Sequence, residues 1–306
     1  MYIKYKPQDQ RIPDTQYRDT LIDIRDNGVW EKAQAGDDKG RLTRTVLGHQ
    51  NRFLVENGAP FITERTLEPN WKKSIAPWKQ AVGEIFAFIN GARTTEALQD
   101  FGCNYWRFWA TEKKCAKRGL PPGDLGDGSY GDAFANFPGP NGPINQFEHV
   151  VKQMRYKPHL KTHFISPWVP PFVYRHEDAE QKVVVCPCHG WIYFHIIQGK
   201  ISLHMTQRSA DVPVGVPNNM VQYFALLLAV AHVMDLTPHE FVHNMINCHY
   251  YDDQVEDVNT LIERPVYPFP ILRLENPPDN LFDFRKEHFI LEEYQAGEYI
   301  GPPAAI

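Results

Sequence analysis

The chain has 306 residues, 42% of them apolar and 23% charged, a balance that excludes disorder along its whole length and allows one large core or two modest ones. Lys and Arg number 32 against 37 Asp and Glu, and the resulting net charge of −5 argues against non-specific binding to nucleic acid or membranes. The 5 scattered cysteines do not read as a disulfide framework and fit a reducing, cytoplasmic compartment.

Met1 to Gln8 has no apolar run and no small-residue cleavage pattern, so no secretory signal is read there. Phe53-Leu-Val55 leads into Asn57-Gly-Ala-Pro60, a strand followed by a turn. Trp78, Val82, Ile85, Phe86 and Ile89 recur at helical spacing and predict an amphipathic helix ending near Asn90-Gly91. The Gly/Pro-rich stretch from Leu120 to Pro143 is expected as an irregular loop. Phe147, Val150, Val151 and Met154 mark a second helix, stopped before Pro158. Val183-Val-Val185 and Trp191 to Ile197 are β-branched and aromatic, and Ile201 to Met205 alternates beyond Gln198-Gly-Lys200, so strands and a hairpin are predicted. Phe224 to Met234 is too short to span a bilayer and contains His232; it reads as a buried helix running from about Asn219. Thr237-Pro-His-Glu240 offers an N-cap, a proline at the first helical position and a capping-box glutamate. Phe241 to Tyr251 and Ile271 to Leu274 read as strands. With no linker-like break and no solenoid repeat, the expected fold is a single α+β domain, a mixed sheet flanked by helices.

Several short segments can carry chemistry. Cys186-Pro-Cys188-His189 invites a metal reading, but no second cysteine pair follows at finger-like spacing. The cysteines can also be small core residues, or one can be a nucleophile if a cation stabilises its thiolate. In Gln207-Arg-Ser-Ala-Asp211, Arg208 and Ser209 combine a forked donor with a hydroxyl, which suits a phosphate or, equally, a solvated strand end. The amides of Asn218 and Asn219, in Gly215-Val-Pro-Asn-Asn219, can cap a helix or read a planar ring edge. Asn247-Cys-His-Tyr-Tyr251 can be simply an aromatic strand.

In this order and spacing the segments resemble the thymidylate synthase family. The match also takes in Gly48-His-Gln-Asn-Arg-Phe53, Glu84, Trp106, Trp109, Tyr130-Gly131 and the ending Pro302-Pro-Ala-Ala-Ile306, and its register is followable from about Arg41. The resemblance implies one catalytic domain over 1–306, with 1–40 an N-terminal extension and 113–122 an insertion whose Lys113, Lys114, Lys117 and Arg118 suggest a solvated loop. It implies a homodimer through the sheet face, with phosphate-binding basic residues crossing from the partner. By the same resemblance, Cys188 adds to carbon 6 of a pyrimidine nucleotide, and carbon 5 then attacks the methylene of the co-substrate 5,10-methylenetetrahydrofolate. Arg208 steadies the thiolate and, with Gln207 and Ser209, holds the phosphate. Glu84 runs a proton relay, and Tyr130 assists removal of the carbon 5 proton. Asn219 reads ring nitrogen 3 and position 4, His189 organises water at that edge, and His249 and Tyr251 hold the sugar hydroxyl. Arg65, Trp106, Trp109, Asp211, Gly215, Asn218 and Ile306 form the folate side, the tail closing to exclude water. No metal, membrane or nucleic acid is implied.

The departures bear on substrate and product. The family's paired arginines at the dimer crossing appear here as Lys161-Thr162, and Lys39, Arg41 and Arg44 compete for the N-terminal phosphate position. Thymidylate synthases usually carry phenylalanine where Asn218 stands; the phage deoxycytidylate hydroxymethylase branch has asparagine there, followed by an aspartate as base reader. Asn218-Asn219 therefore joins a hydroxymethylase-like residue to a uracil-type reader. A polar residue beside an exocyclic methylene favours water over hydride, so the expected reaction is hydroxymethylation of deoxyuridylate. The rivals are thymidylate synthesis, which the retained Trp106 and tail favour, and a cytidylate-directed reaction, since an amide can flip. A non-catalytic nucleotide-binding homologue is opposed by Cys188, Arg208, Glu84, Tyr130 and Asn219 all being present.

Overall fold

A computed structural model of the chain describes residues 3–33, 40–69 and 74–304. Ile306 and Lys39 lie outside the described residues. Helix α1 (Gln16–Asn27) buries Tyr17, Leu21 and Ile24, an i, i+4, i+7 stripe, and ends at Gly28. Strands β1 (Val29–Lys32) and β2 (Leu42–Leu54) follow as an antiparallel pair. Residues assigned to an N-terminal extension thus supply a core helix and a sheet edge.

Helix α2 (Pro77–Ile89) begins on proline and ends at Asn90 as its apolar spacing predicts, but it is buried on nearly every face where an amphipathic helix was expected. Gly83 lies where α2 meets the turn after α3 (Thr95–Asp100): a Cβ there would sit 2.2 Å from the Phe101 carbonyl oxygen. Gly83→Ala is therefore expected to destabilise the protein by about 1–3 kcal/mol, despite the ~1 kcal/mol alanine gains in helix propensity, and to lower the melting temperature in a thermal scan. An unchanged melting temperature would show that the turn yields freely.

The stretch expected as a solvated insertion folds in part as α4 (Glu112–Ala116), capped by the Thr111 hydroxyl accepting from Lys114 N–H, with Cys115 buried beneath it. Arg118 is half-buried and donates to the carbonyls of Val183 and Lys114, at 2.7 Å each, while Lys113 and Lys117 are exposed. The expected loop from Leu120 to Pro143 is interrupted by α5 (Tyr130–Ala135), whose Tyr130, Ala133 and Phe134 are buried. One turn of helix is too short for its periodicity to stand out among glycines. Helix α6 (Gln146–Tyr156) is capped by Asn145 and stops before Pro158 as expected.

After β3 (Phe164–Ile165) and the short α7 (Pro170–Val173), Val183 to Val185 form bends, not a strand; Val184 N–H donates to the Leu125 carbonyl at 2.9 Å, and Val183 and Val184 are buried. β4 (Trp191–Ile197) and β5 (Lys200–Asp211) make the expected hairpin. Helix α8 (Gly215–Val233) starts four residues earlier than read and fills the centre of the molecule. Among the described residues it alone is long and apolar enough to cross a membrane, and 83% of that apolar window is buried inside the protein.

The expected helix start at Thr237 to Glu240 is instead the beginning of β6 (Thr237–Tyr251), one continuous strand. Parallel pairing with β5 from Lys200↔Thr237 overrides the local capping pattern, and a register shift at Ile201/Ser202 absorbs Pro238, which has no N–H to give. The sheet order is β1-β2-β6-β5-β4-β3, with β5–β6 parallel and the other pairs antiparallel. One sheet face, with Ile201, Leu203, Met205, Phe241 and Met245, packs under α8. The other carries Ser202, His204 and Asn244; Leu47 on β2 and Ile246 on β6 are exposed. α9 (Val255–Glu263) and the hairpin of β7 (Ile271–Leu274) and β8 (Phe289–Glu292) complete the chain. The architecture is the expected α+β domain.

Candidate active site

Residues 186–190 link the bends after Val183 to β4, and the first turns of α8 stand beside them. Cys188 is fixed from below: its N–H donates to the Tyr130 hydroxyl at 2.6 Å, and its carbonyl accepts from Arg208 N–H at 2.7 Å. The Cys188 thiol donates to the Cys186 carbonyl at 3.5 Å and has Arg208 Nη2 3.7 Å away. Burial raises the thiol above its ordinary value, and the Arg208 guanidinium pulls it down only in part. At rest the sulfur is therefore a poised thiol. Cys186 points elsewhere, to the Val173 carbonyl, and His189 Nδ1 pairs with the Tyr223 hydroxyl at 2.6 Å. The three side chains do not converge as metal ligands, and among the described residues no other His/Cys/Asp/Glu group is arranged to hold one.

Arg208 is anchored by the same loop. Its Nε donates to the Pro187 carbonyl at 2.7 Å, its Nη2 to Cys186 at 3.0 Å, and its guanidinium lies 5.4 Å from the Trp168 ring. The cation is thus locked next to the sulfur by two carbonyls and an aromatic face. His189 is buried, stacks on Tyr130 at 4.5 Å, and is pushed down to about 3 by burial, so it is neutral at physiological pH. Tyr130 itself is raised far above its usual range by burial and stays a phenol.

Glu84, on α2, is 4% exposed and receives three donors: the Tyr105 hydroxyl, Trp106 Nε1–H and Gln222 Nε2–H. Burial outweighs these donors and pushes the carboxyl up to about 7. A carboxylate with that value gains and loses a proton near neutrality, the property a relay requires. Asn219, one turn into α8, donates from Nδ2 to Gln222 Oε1 at 2.9 Å. Tyr105, Gln222 and Tyr223 were not singled out from the sequence. Gln222 alone left a trace there, as a lone amide in an apolar helix three residues after Asn219.

In the pair assigned to the sugar, His249 Nδ1 pairs with Asn247 Oδ1 at 2.7 Å, its ring meets Tyr251 edge-on, and burial lowers it to about 4. Arg41 lies over the Tyr251 ring at 4.5 Å, whereas Arg44 turns to Gly28 and Trp30. Of the competing N-terminal cations that are described, Arg41 is therefore the one brought to the sugar pair. Ser209 sits beside Asn247 in the β5–β6 register. Gln207 is committed at both ends, to His243 Nε2 at 2.8 Å and the Ser209 carbonyl at 3.0 Å, and so buttresses the strand. Lys161 is exposed ahead of β3, and among the described residues no contact joins it to the Cys188 cluster.

The residues assigned to folate fall in two groups, the Trp106–Trp109 pair and the turn that leads into α8. Trp106 and Trp109 lie 6.0 Å apart, and Arg65 Nη2 donates to the Pro213 carbonyl at 2.9 Å while its buried Nε is unpartnered. Asp211 accepts from Val214 N–H at 3.3 Å and is pushed up to about 7 by burial; Gly215 opens α8 beside it. Asn218 Nδ2 donates to the Val214 carbonyl at 3.1 Å, leaving its buried Oδ1 without a partner. The tail is tied down as far as Pro303, whose carbonyl accepts from Gln254 at 2.8 Å. Aromatic faces in one group, and an unpartnered donor and acceptor in the other, are features that suit a flat ring system bearing polar edges.

The fold thus supplies a thiol beside a locked cation, a near-neutral buried carboxyl and an amide in the first turns of a buried helix. The family model described as thymidylate synthase matches residues 15–306, and the chain belongs to the thymidylate synthase family. Its members are enzymes that transfer a one-carbon unit to a pyrimidine nucleotide. The matched span includes α1, within the segment taken as an extension.

Proposed function

We propose that this enzyme hydroxymethylates deoxyuridylate at carbon 5, through an adduct to Cys188. The observation that carries the reading is the unpartnered Asn218 Oδ1, an acceptor able to hold a water where a dry wall would admit only hydride. Bound 5,10-methylenetetrahydrofolate would supply the carbon as an electrophilic methylene. The sulfur of Cys188 bonds to ring carbon 6, and the charge that reaches the position 4 oxygen is served by the Glu84 network. Tyr130 stands under the cysteine to assist loss of the carbon 5 proton. Carbon 5 bonds to that methylene and loses its proton, and tetrahydrofolate leaves with the electron pair of its carbon–nitrogen bond. Water gives its oxygen to the resulting exocyclic methylene and a proton to the Glu84 network; the sulfur then leaves as the ring double bond returns. Arg208, Ser209 and Arg41 hold the phosphate, with Lys161 contributed by the partner subunit of a homodimer. The exposed apolar side chains of Leu47 on β2 and Ile246 on β6 support that dimer.

Thymidylate synthesis is the second reading. It is favoured by Trp106, only 8% exposed and packed on Phe88 and Tyr130, and by the buried Pro302. Mass analysis of the nucleotide made from deoxyuridylate decides between them: a methyl product with dihydrofolate release overturns hydroxymethylation. Asn218→Phe is expected to reduce the hydroxymethyl share of product by about tenfold or more as the wall becomes dry. The same mass measurement checks it.

A further inference from the structure

Gln222 lies on α8 one turn beyond Asn219, fully buried, and bridges two groups given separate tasks. Gln222 Nε2–H donates to Glu84, the only order open to the ionised carboxylate that acts as base in the relay, since it can only accept. Its carbonyl oxygen must then face Asn219, and Asn219 must answer with its own NH2, as observed at 2.9 Å. The order of donors and acceptors therefore propagates from Glu84 through Gln222 to Asn219, and each amide is held in one of its two orientations.

A uracil edge offers a donor at nitrogen 3 and an acceptor at position 4; cytosine offers the reverse. Adding a thiolate to carbon 6 sends negative charge to the position 4 oxygen, so the carboxyl that relays protons lies on that side of the base. The Asn219 NH2, turned toward Gln222 and Glu84, then supplies a second hydrogen to position 4, and Oδ1 accepts from nitrogen 3. We infer that Gln222 is the positioning residue that sets the base preference, holding Asn219 in the donor order of a uracil edge. Cytosine would require both amides to flip, setting the Gln222 oxygen against the Glu84 carboxylate.

This inference rests on Asn219 as base reader, so two variants are read side by side. Purified full-length enzyme is assayed with deoxyuridylate and deoxycytidylate, and the ratio of their kcat/KM values is compared. Gln222→Met, close in volume but without an amide, is expected to lower the uridylate preference by a factor of about 10–100. A wild-type ratio in that variant, with Asn219→Asp shifting the ratio toward cytidylate, overturns the role of Gln222 and leaves the base reader standing. A wild-type ratio in Asn219→Asp overturns the base reader itself. If Gln222→Met does not fold, Glu84→Gln releases the same constraint, and the ratio of the two nucleotides' dissociation constants by calorimetry is read instead. A fall supports the inference, and no change overturns it.

Discussion

Cys188→Ala is expected to lower turnover by about 10⁴-fold or more while nucleotide binding changes only a few-fold. In the proposed mechanism the sulfur forms a bond to carbon 6 that no neighbour can replace: Cys186 is directed to the Val173 carbonyl, and His189 is engaged with Tyr223. The position of the loop depends on backbone groups, namely Cys188 N–H on Tyr130 and the Cys188 carbonyl under Arg208, all of which survive the substitution. Arg208 keeps its carbonyl anchors, so the phosphate cation stays in place. Release of tritium from carbon 5 of labelled deoxyuridylate follows the step directly. Release at the wild-type rate in Cys188→Ala would remove Cys188 as the nucleophile.

Glu84→Gln is expected to lower kcat by about 10²–10⁴-fold, with a much smaller change in nucleotide KM. Its effect has a pH signature. Burial places the Glu84 carboxyl at about 7, so the wild-type kcat/KM falls as pH drops through that value and the relay loses its base. The variant lacks this limb, and parallel pH profiles in the two proteins would exclude the relay. Stability moves the other way. The unfolded carboxyl titrates near 4.5 and the folded one near 7, so its contribution is complete below about 4.5 and is lost as pH rises through about 7. At pH 8 the variant is therefore expected to be more stable than the wild type, by up to about 3 kcal/mol in denaturant titrations. Asp211 and Glu64, raised to about 7 by the same burial, keep some of the pH slope in both proteins.

The helix through Trp78 and Ile89, the hairpin around Gln198-Gly-Lys200 and the helix stopped before Pro158 were legible because each obeys one local rule over enough residues. Thr237 to Glu240 misled for the opposite reason: four residues made a complete capping pattern, and eleven parallel pairings outweighed it. The site divides the same way. Cys188, Arg208, Asn219, His249 and Tyr251 stand in short motifs that each allow an ordinary structural reading and point to chemistry through the family resemblance they carry together. Tyr105, Gln222 and Tyr223 sit among apolar neighbours, where a polar side chain looks like an ordinary core residue until its partner is known.

The order of residues by itself determined the α+β class, the family and the identity of the groups that can react, since these depend on side-chain type and spacing along the chain. Only the tertiary structure decided that Glu84, Gln222 and Asn219 share one chain of hydrogen bonds, that Arg41 and not Arg44 reaches the sugar pair, and that burial lifts Glu84 toward neutrality. Hydrogen-bond direction and desolvation depend on what surrounds an atom in space, and those surroundings come from elements more than a hundred residues apart.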